Sequence, residues 1–218
     1  MKNYLSERLT QIKPSPTIAI SDKARELRAA GEDVISLSQG EPDFETPEHI
    51  KVAAIRAMQD GHTRYTAVDG IPELKQAIRE KFKLDNGLSY EHSQISVSTG
   101  GKQVLYNAFM ATLNAGDEVI IPAPYWVSYP DMVVLAEGRP VIAACLPQND
   151  FKLTAEELEA AITPATRWLI LNSPSNPTGS VYNQHELKAL AEVLLRHPQI
   201  LVMSDDIYEH LIYGKAEF

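Results

Sequence analysis

The stretch 168–208, WLILNSPSNPTGSVYNQHELKALAEVLLRHPQILVMSDDIY, decides the fold. It opens on an apolar run, Trp168 to Leu171, and closes on another, Ile200 to Met203, each the length of a buried strand. Between them lie a loop of proline, serine and asparagine and then Leu187, Leu190, Ala191, Leu194 and Leu195, whose spacing keeps one face of a helix. Strand, helix, strand, with strands apolar on both faces, is the unit of a mostly parallel sheet covered on both sides.

The same alternation extends toward the N-terminus. Ile95 to Ser98 reads as a strand, followed by a Gly-Gly turn and a helix over Val104 to Leu113. Glu118 to Ile121 is an apolar strand, Ser128 to Ala136 a helix and Pro140 to Ala144 a strand. Thr154 with Glu157 three residues on forms a capping box that starts another helix. Upstream, Met1 to Pro16 reads as an arm. Thr17 to Ala30 is a helix stopped by Gly31, and Val34 to Leu37 a short strand. Thr46 as cap and Pro47 as first residue open a helix whose apolar face is Ile50, Ala53, Ala54, Ala57 and Met58 and which ends at Gly61. Pro72 opens one that runs to Gly87.

Composition narrows the function classes. With 218 residues, 44% hydrophobic and 22% charged, the chain has the make-up of a globular protein rather than a disordered or fibrous one. A formal charge of −9 argues against nonspecific binding to nucleic acid or anionic membranes. A single cysteine, Cys145, excludes an intrachain disulfide and suits a reducing cytoplasm; it sits in an expected strand and reads as packing. No secretory leader and no membrane-length apolar run is read. The six histidines have no metal-ligand spacing, and no GxSxG elbow occurs.

In a parallel sheet, ligands bind beyond the carboxyl ends of the strands, and four loops there carry chemistry. Ser98-Thr99-Gly100-Gly101-Lys102-Gln103 brings backbone N–H groups to a helix N-terminus, suited to an anion, or is an ordinary tight turn. Pro122-Ala123-Pro124-Tyr125-Trp126 delivers an aromatic able to stack on a flat heterocycle, or a tryptophan packing under a helix. Asn172-Ser173-Pro174-Ser175-Asn176-Pro177-Thr178-Gly179 is a stiff loop offering asparagine amides, or a rigid turn. Ser204-Asp205-Asp206-Ile207-Tyr208 places a carboxylate where it can pair with a protonated ring nitrogen, or cap the next turn.

Taken with Ser38-Gln39-Gly40-Glu41-Pro42-Asp43-Phe44-Glu45-Thr46-Pro47 and Tyr65-Thr66-Ala67-Val68-Asp69-Gly70-Ile71-Pro72-Glu73-Leu74, these loops resemble the class I aminotransferases of fold type I, and more narrowly their bacterial aspartate and prephenate branch. The resemblance covers essentially the whole chain. It implies a seven-stranded, mostly parallel large domain over 46–218 and part of a smaller α/β domain over 1–45. It implies pyridoxal 5′-phosphate as cofactor, small amino acid and 2-oxo acid substrates, a homodimer with shared sites, and a cytoplasmic enzyme of amino acid biosynthesis.

Residue by residue, the resemblance makes Trp126 the ring-stacking aromatic, Asn176 and Tyr208 the partners of the phenolic oxygen, and Asp205 the partner of the ring N–H. Gly100, Gly101 and Lys102 match the phosphate turn, and Tyr65 the tyrosine that reaches a neighbouring subunit's phosphate. Gly40 matches the glycine that meets the substrate carboxylate, with Trp126 and Asn176 beside it. Thr17 and Lys102 match positions tied to dicarboxylic substrates and to prephenate/arogenate exchange; Lys102 can equally be a lysine on a first helical turn reaching solvent.

The family's Schiff-base lysine falls further along than Phe218, and Lys215 does not match its setting, so no catalytic residue is assigned in this segment. The expectation is an aminotransferase cut short before that lysine, inactive as 218 residues alone. The other readings are an aromatic or prephenate aminotransferase, a related lyase sharing the cofactor loops, and a noncatalytic truncated module.

Overall fold

The computed structural model describes residues 4–214 and 218; Lys215, weighed above as a lysine candidate, lies outside the described residues. The chain divides into two compact units, 14–99 and 1–13 joined with 100–218.

The 14–99 unit is helical. Helices α1 (Pro16–Ala29), α2 (Glu48–Gln59) and α3 (Pro72–Asn86) are joined by segments without regular secondary structure. Gly31 at φ +90° ends α1, and its N–H donates to the Arg28 carbonyl at 3.0 Å. Two strands expected in this unit do not form. In Val34 to Leu37 the apolar side chains Ile35 and Leu37 are exposed. Ile95 to Ser98 forms no ladder: Ile95 is extended, but Val97 N–H donates to the Asp69 carbonyl in a loop at 3.0 Å. Alternation without a partner ladder does not make a strand. The expected start of α2 also shifts: Pro47 has ψ 138°, outside the helical range, so it is the cap and Glu48 the first helical residue.

The loop before α3 is pinned from beneath. Gly70 has φ +107°, and a Cβ there would lie 2.6 Å from Val97 Cγ2. Both the backbone angle and the close approach require glycine. The buried Lys75 ammonium pairs with Asp69 and donates to the His92 carbonyl at 3.2 Å, tying the same loop to the segment after α3.

The second unit holds α4 (Gly101–Thr112), β1 (Glu118–Ala123), α5 (Ser128–Leu135), β2 (Arg139–Ala144), α6 (Ala155–Ala161), β3 (Thr166–Asn172), α7 (Gln184–Leu194) and β4 (Leu201–Asp205). The Thr154–Glu157 capping box opens α6 as the sequence indicates, and a second box, Asn183 with Glu186, opens α7. All strand pairs are parallel, in the order β2-β1-β3-β4. The described sheet therefore has four strands where the resemblance implies seven.

Side-chain alternation splits the core in two. Val119 and Ile121 of β1 and Ile170 of β3 face a cluster with Phe109 of α4 and Met132 and Val133 of α5. Ile120 and Leu169 face the other way, onto Leu158 of α6 and Leu190 and Val193 of α7. Helices thus cover both faces, as the apolar strands require. The connection after β1 runs through α5 to β2 on one side, while that after β3 runs through α7 to β4 on the other. The crevice between the ends of β1 and β3 is where an open α/β sheet binds its ligand.

Cys145 follows β2 in the second cluster and is buried. Burial pushes its thiol up to about 11. At about pH 8 it should react with a disulfide reagent only after denaturation; rapid reaction in the folded protein would contradict the packing.

Candidate active site

The carboxyl ends of β1, β3 and β4, with the N-terminus of α4, enclose a cleft of about 370 Å³, within the range for a cofactor-sized ligand. Each sequence-expected residue of this unit lines it: Gly100, Gly101, Lys102, Trp126, Asn176, Asp205 and Tyr208. Thr17, Gly40 and Tyr65 belong to the 14–99 unit, where Thr17 is in the first turn of α1 and Gly40 and Tyr65 are exposed; the cleft is built from the other unit.

Gly100 caps α4 at φ +85° with extended ψ, and a Cβ at Gly100 or Gly101 would meet nothing within 4 Å. The turn is open for an anion to approach the backbone N–H groups of Gly101 and Lys102 at the start of the helix. Lys102, in that turn, lies back across the cleft wall with its ammonium 4.9 Å from the centroid of the Trp126 ring. Trp126 is half-buried; it packs against the first core cluster and also lines the cleft.

Asp205 ends β4, and Asn172 ends β3 directly beside it in register. The Asn172 amide is a clamp. Its Nδ2 donates to the Asp205 carbonyl at 2.7 Å, and its Oδ1 accepts from the Asn176 N–H at 2.7 Å. One side chain thereby sets the spacing between the asparagine loop and the carboxylate-bearing strand end.

Tyr129, in the first turn of α5, donates its hydroxyl to Asp205 Oδ2 at 2.6 Å. Burial first, and then the bond to Asp205, raise the phenol far above its ordinary value, so it stays protonated and acts as a donor. Its ring meets the Trp126 indole edge to face, centroids 5.4 Å apart at 86°. Sequence reasoning assigned no role to Tyr129, Asn172, Leu105 or Ile207. For Tyr129 the available signal is its place three residues after Trp126 at a helix start. For Asn172 it is its place at the end of an apolar strand.

An open turn at a helix N-terminus, a wall aromatic and a carboxylate at a strand end converge on one cleft in a doubly covered parallel sheet. The family described as aminotransferase class I and II matches residues 32–218, and the chain belongs to that family. It is 65% identical to an aspartate/prephenate aminotransferase of Cereibacter sphaeroides, over 99% of this chain and 54% of that protein. It is 54% identical to an aspartate aminotransferase of Rhizobium meliloti over 98% of this chain and 52% of the relative. Among solved structures, the Rhizobium meliloti aspartate aminotransferase superposes with a TM-score of 0.95 at 53% identity, covering 99% of this chain and 54% of that one. The Thermus thermophilus aspartate aminotransferase with maleate also gives 0.95, at 49% identity, covering 99% and 56%. The chain spans about half the length of the curated relatives it matches. Among the described residues, no helix is long and apolar enough to cross a membrane.

Proposed function

We propose that this chain is the cofactor-binding portion of an aminotransferase that moves the amino group of aspartate or glutamate to a 2-oxo acid with pyridoxal 5′-phosphate. One observation carries the reading: seven residues from four separate loops line a single cleft at the switch point of the sheet. Family membership supports it.

The cleft suits the cofactor. The Gly100–Gly101 backbone and Lys102 would hold the phosphate at the positive end of α4. Trp126 would stack on the ring, and Asn176 and Tyr208 would meet its phenolic oxygen. The Asp205 carboxylate would pair with the ring N–H and hold that proton in place. When bound, the cofactor supplies an electron sink for the carbanion left when an amino acid loses its Cα proton. The protein groups orient the ring and keep its nitrogen charged. Asn172 fixes the distance between the two ring-holding segments.

Gly40 and Thr17 are proposed to meet the substrate, and Lys102 to supply a point charge for a side-chain carboxylate. Maleate, a dicarboxylate, accompanies the Thermus thermophilus relative, which is consistent with that choice. Tyr65, fully exposed on its pinned loop, is proposed to reach the phosphate of a second copy in a cytoplasmic homodimer. The division into a small-domain part, 1–45, and a large domain, 46–218, is proposed for the whole enzyme. The lysine that bonds the cofactor is proposed to lie in sequence beyond this segment.

A second reading, amino transfer to prephenate, is favoured because several relatives are named aspartate/prephenate aminotransferases or probable ones. A panel on a protein of the relatives' full length separates the two, pairing aspartate with 2-oxoglutarate and glutamate with prephenate. Turnover of the first pair is expected. Turnover of the second alone would move the assignment to prephenate, and turnover with no donor–acceptor pair would overturn the reading.

A further inference from the structure

Resting on the cofactor reading above, we propose that Tyr129 is a positioning residue that holds two of the cofactor's ring contacts, the Asp205 carboxylate and the Trp126 indole, in a fixed relation to each other. Asp205 and Tyr129 are 76 residues apart in sequence and come from different elements. The bond between them is short, 2.6 Å, and it uses only Oδ2. Among the described residues, Oδ1 accepts from no other side chain, which leaves that oxygen for a ring N–H.

The other end of Tyr129 is equally constrained. Its ring is 2% exposed and packs in the first core cluster with Met132 and Val133. Its N–H donates to the Trp126 carbonyl at 3.1 Å, so the turn that presents Trp126 also sets the start of α5. The edge-to-face contact then limits the tilt of the indole. A tyrosine serving the core alone needs any acceptor for its hydroxyl. This one uses the carboxylate that the cofactor reading requires, and its ring touches the aromatic that the same reading requires. A carboxylate tethered by one oxygen has lost most of its rotational freedom before a ligand arrives, and such preorganisation raises affinity.

The test is a double-mutant cycle in the full-length apoenzyme, reading the dissociation constant for pyridoxal 5′-phosphate by equilibrium dialysis. Tyr129→Phe removes one hydrogen bond to a charged group and should weaken binding about tenfold. Asp205→Ala should weaken it further. If Tyr129 acts through Asp205, adding Tyr129→Phe to Asp205→Ala should change affinity less than about twofold, since coupled sites are not additive. The 1-deaza analogue of the cofactor, with C–H in place of the ring nitrogen, should bind wild type and Tyr129→Phe alike. The proposal is overturned if Tyr129→Phe leaves pyridoxal 5′-phosphate affinity unchanged while Asp205→Ala lowers it. It is also overturned if the full tenfold loss persists with Asp205→Ala or with the analogue, the mark of a purely structural role. If Asp205→Ala binds cofactor as tightly as wild type, the cofactor reading beneath it fails as well.

Discussion

Replacing Asp205 by asparagine in the full-length enzyme should slow amino-group removal from aspartate on the order of a thousandfold while leaving the fold intact. Breaking a buried charge pair costs roughly 3–5 kcal/mol, and each 1.36 kcal/mol at the transition state is a factor of ten. Asparagine keeps the shape and an oxygen to accept from Tyr129, whose hydroxyl now sits 2.6 Å from Oδ2. The backbone carbonyl held by Asn172 is untouched. What is lost is the negative charge proposed to keep the ring nitrogen protonated. Alanine should slow the step at least as much, and it should also lower stability because the buried Tyr129 donor loses its acceptor. Single-turnover mixing with aspartate measures the rate, and thermal unfolding separates the two variants. Near-normal turnover in Asp205→Asn would refute the assigned role.

The second large effect lies at the opposite edge of the sheet. Glu118 begins β1 with 1% exposure. Its carboxylate pairs with Arg139 of β2 and accepts from Thr163 Oγ1 at 2.6 Å and Thr166 Oγ1 at 3.4 Å. One side chain therefore joins the starts of three strands. Glu118→Ala should destabilise the protein by about 3 kcal/mol, since Thr166 is buried and loses an acceptor. Arg139→Ala should cost less than Glu118→Ala, because the Arg139 side chain is 65% exposed and Glu118 keeps its two threonine hydroxyl donors. Urea unfolding of the two variants checks the asymmetry. Equal losses would show that the pair, and not the buried carboxylate with its hydroxyl donors, holds this edge.

Much of this was legible because local signals and tertiary roles agree. The runs ending at Ile121 and Leu171 are apolar on both faces and are covered in the sheet, and each delivers its next loop to the same edge as the end of β4. Trp126, Asn176, Asp205 and Tyr208 could be chosen because they follow such strands. Where the signal is short, tertiary context decides otherwise. Among the described residues Val34 to Leu37 has no partner strand, and Val97 gives its hydrogen bond to Asp69 in a loop. Tyr129 escaped notice because an aromatic in an apolar helix reads as core, and it is core; only the folded structure shows where its hydroxyl points. Asn172 looks like one more loop asparagine until β3 and β4 pair and bring the Asp205 carbonyl to it.

The central claim is that the cleft ending β1, β3 and β4 lets a bound cofactor accept an amino group and store it. The direct measurement mixes the full-length holoenzyme with aspartate and no acceptor, then counts the 2-oxo acid released per site. The account predicts a single burst of about one equivalent, as a ping-pong cycle requires, restored to continuous turnover when 2-oxoglutarate is added and abolished by Asp205→Asn on the same timescale. Release of no 2-oxo acid until the acceptor is present would contradict it.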